Sequence, residues 1–190
     1  MAATQPMIAA EVLDAYDVSR HRVVLDVGGG DGSFLARLAE RAPKARLILF
    51  DLPAVAEVAR VRFAQSGLAG HAEAVGGDFR EAALPRGADL ITLVRVLHDH
   101  DDAAALSVLR VVRAALPPGG TLLLAEPLAG AAGAEPIGDA YFGFYLLAMG
   151  SGRARRPAEI TALLNQAGFS RVRAIPTSQP MLTGVMLAEM

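Results

Sequence analysis

The stretch "VVLDVGGGDGSFLARL", Val23 to Leu38, runs from apolar residues through four glycines in five positions into an amphipathic segment. Arg22 to Val27 is a short apolar run that stops at glycine, which predicts a buried strand. Ser33 to Arg41 carries Phe34, Leu35 and Leu38 at helical spacing and ends before Pro43, which predicts a helix. Between them, Gly28 to Gly32 form a turn with almost no side chains, so a ligand can come close to the backbone there. The helix start behind the turn adds unpaired N–H groups suited to a carboxylate or phosphate.

The same alternation continues outward. Met7 to Tyr16 predicts a helix leading in; strand Arg46 to Phe50, helix Ala54 to Gln65 and strand Ala72 to Val75 follow the glycine unit. Strand Asp89 to Val94, helix Asp102 to Leu116 and strand Thr121 to Ala125 come next, with Pro117-Pro118-Gly119-Gly120 stopping the helix. A long apolar helix is expected at about Glu135 to Met149, then helix Pro157 to Ala167 and strands Val172 to Ile175 and Met181 to Ala188. Strands alternating with helices of this length predict an α/β fold, a mostly parallel sheet covered by helices on both faces. The last two strands are too close for a crossover and predict a hairpin, with an antiparallel strand at the sheet's end.

Composition narrows the function. The chain has 190 residues, 53% hydrophobic and 20% charged, enough for one domain with a proper core. A formal net charge of −2, with arginines scattered rather than massed, argues against a nucleic-acid partner. No cysteine occurs, which removes disulfides, thiolate nucleophiles and Cys-ligated zinc and fits the cytoplasm. The opening MAATQPMIAAEVLDAY lacks the basic start of a secretory signal. The longest uncharged stretch, Ala140 to Gly152, falls short of the ~20 apolar residues that span a bilayer, so any membrane contact is expected to be peripheral.

A dinucleotide fingerprint needs glycines at i, i+2 and i+5, but Gly28 and Gly30 are followed by Ser33, and Gly30 and Gly32 by Leu35. GxGxG with Asp31 inside the turn fits instead, and that carboxylate is awkward for a pyrophosphate. In such sheets the ligand lies beyond the carboxyl ends of the strands. Asp51 closes the second strand in "LILFDLP", where a carboxylate can accept both hydroxyls of a ribose; Asp78, in "VGGDF", can reach an adenine, with Phe79 to pack on the ring. Each acid alone reads more simply as a surface residue, but three such loops on consecutive strands point to S-adenosylmethionine.

"LDVGGGDG", "FDLP", "GGDF", "RVLHDHDD", "LPPGGTLLLAEP" and "QAGF" together resemble the methyltransferase domain of the S-adenosylmethionine-dependent O-methyltransferases of the plant caffeate and acetylserotonin type. "GDAYFGFYLLAMGSGRAR" most resembles the bacterial demethylspheroidene (hydroxyneurosporene) branch of carotenoid synthesis. The resemblance implies the class I methyltransferase, Rossmann-like fold: a seven-stranded sheet with an antiparallel last strand, residues 21–190 forming the methyltransferase domain after a lead-in helix in 1–20. It implies a cofactor set of Asp26, Gly28, Gly29, Gly30, Asp51, Leu52, Asp78, Phe79 and Arg95. Family members carry a preceding helical domain that makes a homodimer and closes part of the pocket; that domain is absent from this sequence, and a homodimer is expected of the full-length protein.

Methyl transfer from a sulfonium needs a base beside the acceptor oxygen, and the resemblance gives that part to His98 in "LVRVLHDHDD". A neutral imidazole with pKa near ~6.5 suits it. Glu126, closing "LLLAE", falls where the family has an acid that holds the histidine by its other nitrogen; counting back from "AGF" puts Ala154 where plant members have a second acid, and His100 where they have tryptophan. Asp99 is expected to face the substrate. Asp99, Asp101 and Asp102 also suit the positive end of the next helix, and no metal is expected at His98, Asp101 and Asp102, since hard cations gather more oxygens. Tyr141, Phe142, Tyr145 and Met149 are expected to wall a greasy acceptor, a large apolar alcohol; the plainer reading is that Tyr141, Tyr145 and Met149, spaced by four, form a core stripe. Arg153, Arg155 and Arg156 are expected in a solvated loop or at an edge facing the helical domain.

Overall fold

A computed structural model of the chain describes residues 4–130 and 152–190. The helix expected at Glu135 to Met149, and with it Tyr141, Phe142, Tyr145 and Met149, lies outside the described residues. The strands are β1 (Val23–Val27), β2 (Arg46–Asp51), β3 (Ala72–Gly76), β4 (Leu90–Val94), β5 (Thr121–Glu126), β6 (Arg171–Ile175) and β7 (Gly184–Glu189). The described helices are α1 (Gln5–Ala15), α2 (Ser33–Arg41), α3 (Pro53–Gln65), α4 (Asp102–Ala115) and α5 (Pro157–Gln166).

The seven strands form one sheet in the order β3-β2-β1-β4-β5-β7-β6. Strands β1 to β5 are parallel, and β7 runs antiparallel to both β5 and β6. Alternate residues of each strand face opposite layers. Val24, Leu47, Leu49, Leu90, Leu123 and Leu187 pack under α1, α2 and α3 with Ile8, Val12, Leu35, Leu38 and Phe63. Leu25, Ile48, Ile91, Leu93, Leu122 and Leu124 pack on the other face under α4 and α5, against Val108, Leu109, Val112, Ile160 and Leu164. A sheet buried on both sides explains why β4 and β5 read as unbroken apolar runs, every residue of both being buried.

The hairpin of β6 and β7 forms as expected, but the antiparallel strand is not the outermost one. β7 is buried along most of its length and wedges between β5 and β6, while the half-exposed "RVRAI" of β6 takes the edge. A strand with alternating arginines can solvate its open side, which suits an edge. β7 begins at Gly184 rather than Met181, because Leu182 and Thr183 turn back to donate to the Gln179 carbonyl. The lead-in helix is tied to that same loop: the Glu11 carboxylate accepts from the backbone of Ser178 and Gln179 at 2.9 and 3.0 Å.

The order in which strands join the sheet reverses between the parallel neighbours β1 and β4, which lead into the glycine turn and the loop after Val94. In an open α/β sheet this is where a ligand crevice lies.

Candidate active site

The parallel register brings the tips of β1 to β5 to one edge. Gly28 N–H donates to the Phe50 carbonyl at 2.8 Å, Gly77 N–H to Asp51 at 2.9 Å, and Arg95 N–H to Ala125 at 2.8 Å, so the loops after all five strands start level. Gly28, Gly30 and Gly32 adopt φ of 71°, 59° and 80°, the left-handed region that favours glycine. A Cβ on Gly28 would meet Val96 at 2.8 Å, one on Gly29 would meet Asp26 Oδ2 at 2.7 Å, and one on Gly30 would meet nothing within 4 Å. The turn is therefore packed from below and open above at Gly30.

Asp51 Oδ2 accepts from Gly30 N–H at 2.8 Å and Oδ1 from Leu52 N–H at 2.7 Å, so the carboxylate at the tip of β2 holds the β1 turn in place. Each oxygen keeps a further lone pair. Leu52 beside it is 49% exposed, an apolar surface at the rim. Asp31, the acid inside the turn, accepts from Ser33 N–H at 3.1 Å and pairs with Arg62 of α3. Its charge is thus offset by Arg62.

Asp26 lies beneath the turn, 1% exposed. Its Oδ1 accepts from Thr92 Oγ1 at 2.6 Å, and its Oδ2 has no hydrogen-bond partner in the protein. Burial, with the negative charge of Asp51 adding, pushes this carboxyl up to about 7 against the opposing effect of the Thr92 hydrogen bond. Asp78 is locked by its neighbour: Arg80 binds both oxygens, the shortest contact at 2.6 Å, and those hydrogen bonds hold the half-buried Asp78 carboxyl down to about 2. Phe79 is half-buried and meets His100 edge to face at 5.7 Å. Arg95 has φ 59°, the left-handed region again, and its Nη1 lies 3.4 Å from Thr4 Oγ1.

After Val94 the chain enters a 3-10 turn, Leu97–Asp99, that the apolar periodicity did not signal. Glu126, at the tip of β5 and 2% exposed, shapes it. Glu126 Oε1 accepts from the backbone N–H groups of Val96 at 2.9 Å and Leu97 at 2.6 Å. Its Oε2 accepts from His98 N–H at 3.4 Å and from the His98 ring at Nδ1, 2.8 Å away. Because a carboxylate can only accept, the ring proton sits on Nδ1 and leaves Nε2 as the acceptor nitrogen. Nε2 lies 3.3 Å from Asp99 Oδ1 without hydrogen-bond geometry. His98 is 2% exposed, and Val96 in the same segment lies against Gly28, so the histidine turn packs beside the bare turn.

The other acids after His98 take structural parts. Asp101 caps α4 by accepting from Ala104 N–H at 2.8 Å, and Asp102 pairs with Arg153 and Arg155 at 2.9 and 2.8 Å. The expectation of a solvated Arg155 is corrected: it is 2% exposed, donating to carbonyls of the histidine turn. Thr92 was not singled out in the sequence, and the buried role of Arg155 was not foreseen; an arginine among arginines whose partner lies 53 residues away leaves no local signal.

A doubly covered parallel sheet with a bare turn after β1, an acid closing β2 and a buried histidine–glutamate pair defines a nucleoside-cofactor enzyme of the class I methyltransferase fold. Residues 1–170 match the O-methyltransferase domain family, and the chain belongs to it. Demethylspheroidene O-methyltransferase of Cereibacter sphaeroides is 43% identical over 188 residues, covering 99% of this chain and 50% of that protein. The protein of the same name from Rhodobacter capsulatus is 44% identical over 189 residues, covering 100% and 47%. Human N-acetylserotonin methyltransferase in complex with S-adenosylmethionine superposes with a TM-score of 0.84 at 27% identity, covering 98% of this chain and 54% of that one. The chain thus spans about half the length of the relatives it matches.

Proposed function

We propose that the chain is the catalytic domain, residues 21–190 behind a lead-in helix in 1–20, of an O-methyltransferase acting on the hydroxyl of a large apolar alcohol. The acceptor is a hydroxylated carotenoid of the demethylspheroidene or hydroxyneurosporene kind, a reading supported by the two relatives of that name. The observation that carries it is the buried His98–Glu126 pair in a turn that packs, through Val96, beside the glycine turn.

The residues present fit S-adenosylmethionine as cofactor: open backbone at Gly30, spare lone pairs on Asp51, and an unpartnered Oδ2 on Asp26 beneath the turn. Gly28, Gly29, Gly30, Asp26 and Asp51 would hold its amino-acid and ribose parts, and Leu52, Asp78, Phe79 and Arg95 would border the rest. When bound it supplies an electrophilic methyl on sulfonium sulfur. His98 takes the acceptor's proton at Nε2, Glu126 steadies the ring through Nδ1–H and the positive charge it gains, and Asp99 borders the acceptor side. An aliphatic alcohol, with a pKa near the ~15.7 of water, cannot be ionised beforehand by an ordinary imidazole. The proton therefore leaves as the C–O bond forms, and alignment supplies most of the acceleration.

The whole protein is read as a cytoplasmic homodimer that touches membranes at most peripherally; among the described residues no helix is long and apolar enough to cross one. The test supplies labelled S-adenosylmethionine with a hydroxylated carotenoid or a phenol to the longer protein carrying this chain. The carotenoid is expected to be labelled, and His98→Ala to lower the rate by ~10²–10⁴ with S-adenosylhomocysteine affinity unchanged. Phenol labelling alone would reassign the acceptor to a phenolic or polyketide compound, binding without transfer would leave an inactive binding module, and wild-type turnover in His98→Ala would remove the base.

A further inference from the structure

The Leu97–Asp99 turn has three residues, too short to hold itself by its own hydrogen bonds. Its N–H end is closed by Glu126. Its carbonyl end is closed by Arg155, whose Nη1 donates to the Leu97 carbonyl at 2.7 Å and Nη2 to the carbonyl of His100, the residue that ends the turn, at 2.7 Å. Arg155 Nε donates to Asp102 Oδ1 at 2.8 Å, so the guanidinium is bonded on all three nitrogens while 2% exposed. Burying a cation costs several kcal/mol unless it is matched in this way. A carboxylate on the donor end and a guanidinium on the acceptor end also oppose the turn's own dipole from both sides.

Both jaws of this clamp hang on one piece of backbone. Glu126 ends β5, and Arg155 forms a bridge with Leu128 and accepts at its carbonyl from Ala129 N–H at 3.0 Å. Gly152, with φ 89°, runs so close to the turn that a Cβ there would overlap the His98 carbonyl. The segment 152–155 therefore seats on the turn through backbone as well as through charge.

We infer that Arg155 is a positioning residue for His98: by fixing the Leu97 and His100 carbonyls it sets the turn from which the imidazole reaches Glu126. The inference rests on His98 being the base, but its test reads the imidazole itself and so is separable from turnover. In nitrogen-15 spectra of the histidine rings, the wild-type chain is expected to show His98 as a single Nδ1–H tautomer with a slowly exchanging ring proton. Arg155→Met, which keeps an apolar stem, is expected to speed that exchange at least tenfold and mix the tautomers, with S-adenosylhomocysteine affinity by calorimetry unchanged. Arg153→Met, which removes a neighbour that binds Asp102 and not the turn, is expected to leave the ring as in the wild type. Arg155→Lys keeps the charge but spans only one carbonyl, and is expected to fall between the two; it decides the matter if Arg155→Met does not fold. A wild-type tautomer and exchange rate in Arg155→Met, or in Arg155→Lys where that variant decides, would overturn the inference. A disturbed ring in a protein later found to methylate nothing would leave Arg155 as the holder of His98 and remove only the catalytic reading.

Discussion

The Glu126 carboxylate takes the His98 ring at 2.8 Å and the backbone N–H groups of Val96 and Leu97 at 2.9 and 2.6 Å, so one side chain both bends the chain and aims the imidazole. Orientation of a base usually needs a separate partner from the one that caps its turn.

Glu126→Gln keeps the volume but replaces an accepting oxygen with an NH2 that opposes either the ring or the turn. A buried donor left unmatched costs about 1–3 kcal/mol, and the variant is expected to lose about that much in urea unfolding. Unchanged stability would mean that the turn does not depend on the carboxylate.

Gly30→Ala separates folding from binding. The site has φ 59° and no atom within 4 Å of an added Cβ, so the fold is expected to lose only the left-handed strain, about 1–2 kcal/mol. The methyl would stand in the crevice, and calorimetry is expected to show at least tenfold weaker S-adenosylhomocysteine binding. Gly28→Ala adds a 2.8 Å clash with Val96 to its strain and is expected to be the less stable of the two.

Asp51→Ala removes an acceptor for ribose hydroxyls and the anchor of Gly30 and Leu52 together. Affinity for S-adenosylhomocysteine is expected to fall by roughly 1.5–3 kcal/mol, the size of hydrogen bonds to a charged group. Equal affinity in the variant would take the ribose away from this position.

Asp26 gives the fold a pH dependence of unusual sign. Its carboxyl is pushed up to about 7 when folded and lies near the ordinary 3.8 when unfolded. Between those values the folded chain holds a proton that the unfolded chain has released, so this group makes stability fall as pH rises, by up to about 1.4 kcal/mol per unit. Below the window the effect is absent, and above about 7 it is constant. Urea melts at about pH 5 and about pH 8 are expected to show the wild type losing ground to Asp26→Asn at the higher value; parallel behaviour would place an ordinary carboxyl there.

The legible part of the fold was its alternation. The apolar runs of β1, β2, β4 and β5 and the spacing of α2 to α4 carry period and punctuation in consecutive residues, and they appear within a residue or two of expectation. The placement of β7 inside β6 was not legible, because strand order is decided by which face of a hairpin finds the sheet. At the site, the glycines and Asp51 announce themselves by their place after strands. Glu126 was found through resemblance, since nothing in "LLLAEP" says that its acid faces a histidine 28 positions back. Arg155 and the Asp26–Thr92 contact escaped both routes, being made by pairs 58 and 66 residues apart.

The inset position of β7 bears on how the molecule is assembled. β5 is flanked by β4 and β7, and Glu126 is paired with Gly184. During synthesis the strand bearing that acid therefore keeps a raw, sticky border until the final hairpin emerges and slots in. A nascent chain stalled before Gly184 would leave that border of β5 bare at the very place where chemistry is to be built.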